Sequence, residues 1–326
     1  MSLARRTVNS RKGFSLVELM VVVAIIGILA SLLLVGISKM ETSAYMSTDL
    51  SHHRMIAKAS ATHATDNESR LLHPRTEKTD QNQINGMVGH QYVREIIDNE
   101  MIDQAVINAN KRLWVRAYDE SGIIRLTDAD TGLPETSRRE LTRALSDGAA
   151  WEYMDGDSSI YRSPLDPTKI TRSYSLNAFV GTELCPDEWF GTGYTDPFYS
   201  EFAMYAVGTP TLSRIPQPSN TFFSITEWDP GHSSSVPPGR NHLGFMLHPN
   251  QATGYTNYQI WHDIPGFWYD GNYTISMVDG STKSVPVTDP NLVDALDEHR
   301  VVYDGADLRQ IQGWMLPGVL EYRFDN

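Results

Sequence analysis

The apolar positions of this chain crowd toward one end. Residues 14–37 read FSLVELMVVVAIIGILASLLLVGI, and over the nineteen positions from Leu19 to Ile37 only Ser31 carries a polar side chain. In helical form that run spans about 28 Å, close to the hydrocarbon thickness of a bilayer. A membrane-spanning helix is therefore predicted over 14–37. The pattern then changes period instead of stopping. Met40, Ala44, Leu50, Ala57, Ala61 and Ala64 recur mostly three to four residues apart or at multiples of that spacing, while Lys39, Glu41, Asp49 and Lys58 lie elsewhere. This predicts an amphipathic stem helix over 38–66, continuous with the first. No proline occurs between Phe14 and Pro74, so the helix would run on the order of 80 Å.

After residue 66 the signals become mixed. His73-Pro74 through Gln83 is polar and reads as a loop. Helical patches follow near Gln91–Ile107, with Tyr92, Ile96, Met101 and Val106 apolar, and over Glu135–Leu145, with Leu141 and Leu145 at i, i+4. Strand patterns dominate afterwards. Tyr273, Ile275 and Met277 alternate with Thr274, Ser276 and Val278, then Asp279-Gly280 turns the chain into Lys283–Val287. That predicts a β-hairpin with one inward face. Thr221–Trp228 is a second strand, and Asn291–Asp297 and Ala306–Trp314 carry short helix signals. The expected fold is α+β: the long N-terminal helix packed on a head, residues 67–326, with an antiparallel sheet.

Charge sharpens the N-terminal reading. Arg5, Arg6, Arg11 and Lys12 precede the apolar run with no acid among them, so losing that segment takes the chain from −13 to −17. Cations before the span put Met1–Gly13 in the cytoplasm and everything after Ile37 outside. An acidic remainder argues against a nucleic-acid partner. The run is too long for a secretory signal peptide, and no strong A-x-A site follows it. The pair Arg5-Arg6 gives weak support for twin-arginine export. A plain signal anchor explains hydrophobicity and orientation but leaves Glu18 unexplained. A carboxylate inside an apolar span costs roughly 2.5–3.5 kcal/mol on insertion scales, so it normally has a partner and a job.

The stretch Arg11-Lys12-Gly13-Phe14-Ser15-Leu16-Val17-Glu18-Leu19 resembles the prepilin cleavage and methylation motif of type IV pilins and type II secretion pseudopilins. The resemblance implies that prepilin peptidase cuts after Gly13, removing a leader of residues 1–13, and methylates the new amino terminus at Phe14. Glu18 becomes the fifth mature residue, one helical turn from that terminus. It would fix subunit register by pairing with its own or a neighbour's ammonium group. Gly13 suits the cut because a protease can approach its backbone closely. Many members kink the apolar half at a proline, which is replaced here by Gly27 and Gly36.

A second resemblance lies in the head. Tyr161-Arg162-Ser163-Pro164-Leu165-Asp166 followed by Ser173-Tyr174-Ser175-Leu176-Asn177 resembles a "CPxD … SYxxN" stretch of large-headed pseudopilin-like proteins. Asn272 … Met277-Val278-Asp279-Gly280 resembles their closing hairpin. Ser163 stands where the family has cysteine, Tyr269 where it has histidine ten residues before the Asp-Gly pair, and Ser281 where it has another histidine. A metal or disulfide at those positions is therefore absent or altered, and this resemblance speaks to fold.

Candidate chemistry in the head is sparse. His52, His53 and His63 fall on the stem, with His52 and His53 on different faces; His232, His242, His248 and His262 fall in loops without HExxH or C-x-x-C spacing. They read as solvated or structural. Asp128, Asp130 and Glu135 resemble part of a calcium loop, and some pseudopilins bind calcium in their heads, but the twelfth-position glutamate is replaced by Arg139. An acidic surface turn is the default. There is no G-x-S-x-G and no complete phosphate cradle. The lone Cys185 reads as buried and inert. Tyr258, Trp261, Phe267, Trp268 and Tyr269, within Tyr255–Tyr273, read first as core aromatics and second as a stacking surface for sugars or a partner.

The expected function is structural and non-enzymatic, with no cofactor beyond the calcium option. The chain would be a pilin or pseudopilin precursor, held in the inner membrane with its head periplasmic. It would assemble with other pilin subunits and an inner-membrane platform into a type IV pilus or type II secretion pseudopilus. The alternative is a membrane-anchored carbohydrate- or surface-binding protein exported by the same route.

Overall fold

The computed structural model describes residues 14–74, 76, 110–116, 143–167, 172–182, 209–228, 244, 245, 247, 261, 263–269, 271–290, 292, 305–315 and 317. Two compact units divide the chain, Met1–Met46 and Ser47–Asn326. Helix α1, Leu16–Asp66, is continuous through both, as the absence of proline predicts. In the first unit its apolar side chains are exposed from Leu16 onward. Such a surface is stable only against lipid or other apolar helices. Ser31, the polar exception, returns its hydroxyl to the carbonyl of Ile28 at 2.8 Å and so presents little polarity outward.

In the second unit α1 becomes part of the head. It ends in a turn with Glu68 and Ser69 at φ +53° and +63°. There the Ser69 N–H bonds to the carbonyl of Ala64 at 2.8 Å, and the Asn67 amide donates to that of His63 at 2.9 Å. These bonds satisfy carbonyls that a helix end leaves orphaned. The buried residues of this part are Asp49, His53, Ile56, Ala57, Ala59, Ser60, His63 and Ala64. This corrects the expected face: Ala61 is exposed, and Asp49 is fully buried. Hydrophobicity misplaced them because the surface receiving this helix is itself polar.

That surface is an antiparallel sheet. Strands β1 (Tyr174–Leu176), β2 (Phe222–Trp228), β4 (Asn272–Met277) and β5 (Thr282–Pro286) lie in the order β1-β2-β4-β5, and β3 (Ile264–Pro265) pairs with β2 off this path. The register sets Ser224 opposite Ser276 and Ile225 opposite Ile275, with a shift between Phe222 and Ser224. β4 and β5 form the predicted hairpin, closed through Gly280 at φ +85° and by Asp279 Oδ1 accepting the Ser281 N–H at 2.9 Å. The predicted single inward face is corrected: both faces of β4 are covered, with Tyr273 to Met277 all buried. Alternation sends Ser224, Thr274 and Ser276 toward α1 and sends Ile225, Tyr273 and Ile275 the other way.

The second face receives helix α2, Ala306–Met315, close to its predicted span. Lys283, beside Ile275 in register, lies 4.3 Å from the centre of the Trp314 ring. Leu308, Ile311 and Met315 join Ile225, Tyr273, Ile275 and Val285 in one core. Asp307, in the first turn of α2, accepts the backbone N–H groups of Thr288 and Asp289, both at 2.7 Å. Trp261, Tyr269 and Tyr273 are buried, and Phe267 packs against the core; Tyr255 and Tyr258 lie outside the described residues. The predicted helix Gln91–Ile107, most of Glu135–Leu145 and of Asn291–Asp297, and Cys185 also lie outside them, although residues 143–146 form a helical turn with Leu145 buried.

Gly181 joins three segments. At φ +83° its Cα faces the Leu72 carbonyl so closely that a Cβ would stand 1.9 Å from that oxygen. The buried Arg112 ties the same place together, donating from Nη1 to the carbonyls of Leu71 (2.5 Å) and Gly181 (2.9 Å). Gly181→Ala is expected to lower unfolding stability by about 2–4 kcal/mol, combining left-handed strain with a backbone overlap that must relax. Urea denaturation of the mature chain checks this.

Candidate functional site

Two places concentrate chemistry: the start of α1 and the joint between α1 and the sheet. At the first, Phe14 is 81% exposed and Gly13 lies outside the described residues. The backbone N–H of Ser15 donates to Glu18 Oε2 at 2.8 Å, and the Leu19 N–H closes the first turn onto the carbonyl of Ser15 at 3.1 Å. Ser15 thus sits at the cap and Glu18 three residues on, the spacing of a capping box. A carboxylate here also complements the positive end of the helix dipole. Ser-x-x-Glu was legible in the sequence as a helix start. It supplies Glu18 with a partner inside its own chain.

The second place was not anticipated. Asp49, 0% exposed, accepts the Tyr174 hydroxyl at Oδ1 (2.5 Å) and the Thr274 hydroxyl at Oδ2, and Tyr269 lies against the same carboxylate. One turn along α1, His53 places Nδ1 2.6 Å from Ser224 Oγ and Nε2 3.1 Å from Thr274 Oγ1, and Ser224 and Ser276 share a bond at 2.6 Å. The His53 ring stands edge-on to Tyr174 at 4.7 Å. Burial holds His53 down at about 4, against the attraction of Asp49. The Tyr174 and Tyr269 hydroxyls are pushed above their ordinary range, by burial first and by the Asp49 charge second. At neutral pH the cluster is a neutral imidazole and two neutral phenols around one carboxyl group. It joins helix to sheet, with His53 fully buried between them.

The two head segments singled out in the sequence converge beside it. Ser163 Oγ and the Tyr269 hydroxyl are 3.3 Å apart, so two of the three positions that depart from the pseudopilin-like pattern face each other, while the third, Ser281, bonds to Asp279 in the β4–β5 turn. Asp166 accepts the hydroxyl of Ser173. Asn177 donates its amide to the carbonyls of Phe222 (2.9 Å) and Met315 (2.6 Å), joining sheet to α2. Every one of these motif residues therefore holds segments together. A sequence signal for the joint did exist: Asp49, His53, Ile56, Ser60 and His63 follow one another at spacings of four and three, a helix stripe that is partly polar.

Among the described residues no group of three or more His, Cys, Asp or Glu side chains could hold a metal ion. Asp128, Asp130 and Glu135 lie outside the described residues.

The prokaryotic N-terminal methylation motif matches the chain over residues 8–34, the stretch that contains Gly13, Phe14, Glu18 and most of the apolar half of α1. The chain thus carries the signature of type IV pilins and pseudopilins, on an α+β fold with a long apolar N-terminal helix and an antiparallel sheet in its head. No curated protein and no solved structure matches the chain.

Asp49→Ala is expected to cost on the order of 3 kcal/mol, because it strands the buried Tyr174 and Thr274 hydroxyls without an acceptor. Asp49→Asn keeps an acceptor and should cost clearly less. Equilibrium denaturation of both variants, followed by near-ultraviolet dichroism of the buried tyrosines, measures the difference.

Proposed function

We propose that this chain is the precursor of a filament subunit, assembled into a type IV pilus or a type II secretion pseudopilus. The observation that carries the reading is the methylation motif over residues 8–34, set on a helix whose apolar side chains are exposed. In this reading the segment Met1–Gly13 stays in the cytoplasm, and the helix waits in the inner membrane with its head outside. Prepilin peptidase cuts between Gly13 and Phe14 and methylates Phe14. Assembly then exchanges lipid around the apolar half of α1 for the same half of neighbouring subunits. Glu18 serves twice: it caps its own helix through Ser15, and its charge meets a neighbour's amino terminus and sets the register.

The role is structural, since the motif marks filament subunits and not enzymes. A head of this size favours a minor or specialised subunit over the bulk of a filament. The feature that favoured a glycan-binding reading was the aromatic run before β4. Of its described members Trp261, Tyr269 and Tyr273 are buried, and Phe267 and Trp268 are half-buried, with Phe267 packed on the core; most of that aromatic surface is therefore turned inward, which favours the filament reading.

Replacing Gly13 by leucine should make the uncut precursor accumulate. Intact mass of the membrane fraction tests this, and mature protein at wild-type level would refute processing at this bond. Glu18→Val should leave the chain processed and membrane-inserted but absent from sheared or purified filaments. Normal incorporation would show that the carboxylate is not used in assembly.

A further inference from the structure

We propose that the joint between α1 and the sheet is a proton-operated latch, closed while His53 is neutral and opened when its Nδ1 takes up a proton. The hydrogen-bond donors fix the direction of the whole chain. Thr274 gives its hydroxyl proton to Asp49 Oδ2, and Tyr174 gives its own to Oδ1. Thr274 Oγ1 can then only accept from His53 Nε2, so Nε2 carries the imidazole proton. Nδ1 is left as an acceptor, and the hydroxyl that reaches it is that of Ser224. With that proton spent, the bond between Ser224 and Ser276 runs from the Ser276 hydroxyl. The Ser276 oxygen in turn accepts the Ser224 N–H at 3.2 Å. The order from Ser276 through Ser224, His53 and Thr274 to Asp49 is thereby unique.

A proton on Nδ1 reverses part of this chain. The imidazolium donates at both nitrogens, Ser224 must turn its hydroxyl toward Ser276, and the Ser276 proton loses its acceptor. The new charge sits in a site with no solvent exposure at His53. Asp49, on the same helix, attracts that charge, and His52 opposes it. From β1 comes Tyr174, and from the segment before β4 comes Tyr269, both neutral phenols. β2 and β4 offer hydroxyls alone, because Glu227 bonds to Ser175 on the opposite face, where Lys283 of β5 also lies, over Trp314. One attractive carboxyl group, already occupied by Tyr174 and Thr274, does not offset burial, which agrees with the low value of about 4 for His53. Because the folded value lies below the ordinary 6.5, the joint is fully stabilised above pH 6.5 and is weakened progressively as pH falls toward 4.

The test uses the full mature chain in detergent micelles. Amide hydrogen exchange along residues 49–64 is followed from pH 7.5 to pH 5, corrected for intrinsic rates, in the wild type and in His53→Gln, a neutral replacement. The wild-type helix should open about tenfold more for each pH unit below the ordinary histidine value, and the variant should lose that dependence. Equal pH dependence in both overturns the latch. If His53→Gln does not fold, nitrogen chemical shifts of the His53 ring in the wild type decide. A protonated Nε2 and bare Nδ1 persisting to about pH 5 support it. The opposite tautomer, or titration at an ordinary histidine value, overturns it.

Discussion

A carboxyl group on a helix that packs against a sheet must be met by donors, and the arrangement around Asp49 follows from that constraint. The donors come from separate parts of the chain: Tyr174 on β1, Thr274 on β4 and Tyr269 before it. Each has to be in register for the helix to sit down at all. Buried polar contacts of this kind add little net stability when complete but are costly when one member is missing. They therefore select one seating of α1 over the alternatives that a smooth apolar face would tolerate. This explains why the sheet presents Ser224, Thr274 and Ser276 to the helix while reserving Ile225, Tyr273 and Ile275 for α2.

Helix α1 consequently works in two different solvents. Up to Ile37 its side chains suit an apolar surrounding, and composition alone is enough to show it. From Ser47 onward its neighbours are the head's own strands and loops, and composition decides little. The same backbone thus joins a part that can exchange partners to a part that has a single specified seat. That division suits the filament-subunit role proposed above, in which the apolar half exchanges lipid for protein contacts while the head keeps its fold.

The motif residues of the head also read differently once folded. Ser163 and Tyr269, which replace cysteine and histidine of the pattern they resemble, touch each other beside Asp49. Two of the three departures therefore fall within one contact, closed by a pair of hydroxyls. Asp166 and Asn177 likewise bind neighbouring hydroxyl and backbone groups. Their spacing marks a structural crossing of segments.

The apolar span, the continuity of α1 to Asp66, the β4–β5 hairpin and α2 could be read from the residues alone. Each of these depends on local chemistry: a periodicity, a missing proline, an Asp-Gly turn. Which face of the stem is buried was settled by what it packs against. Ala61 looked inward and is exposed; Asp49 looked outward and lies at the centre of the joint. Periodic hydrophobicity locates a helix face when the opposing surface is apolar, and here that surface is a row of hydroxyls contributed by strands about 170 to 230 residues away in sequence. Nothing local to Asp49 or His53 encodes those partners, so their roles became visible once the sheet had brought the hydroxyls to them.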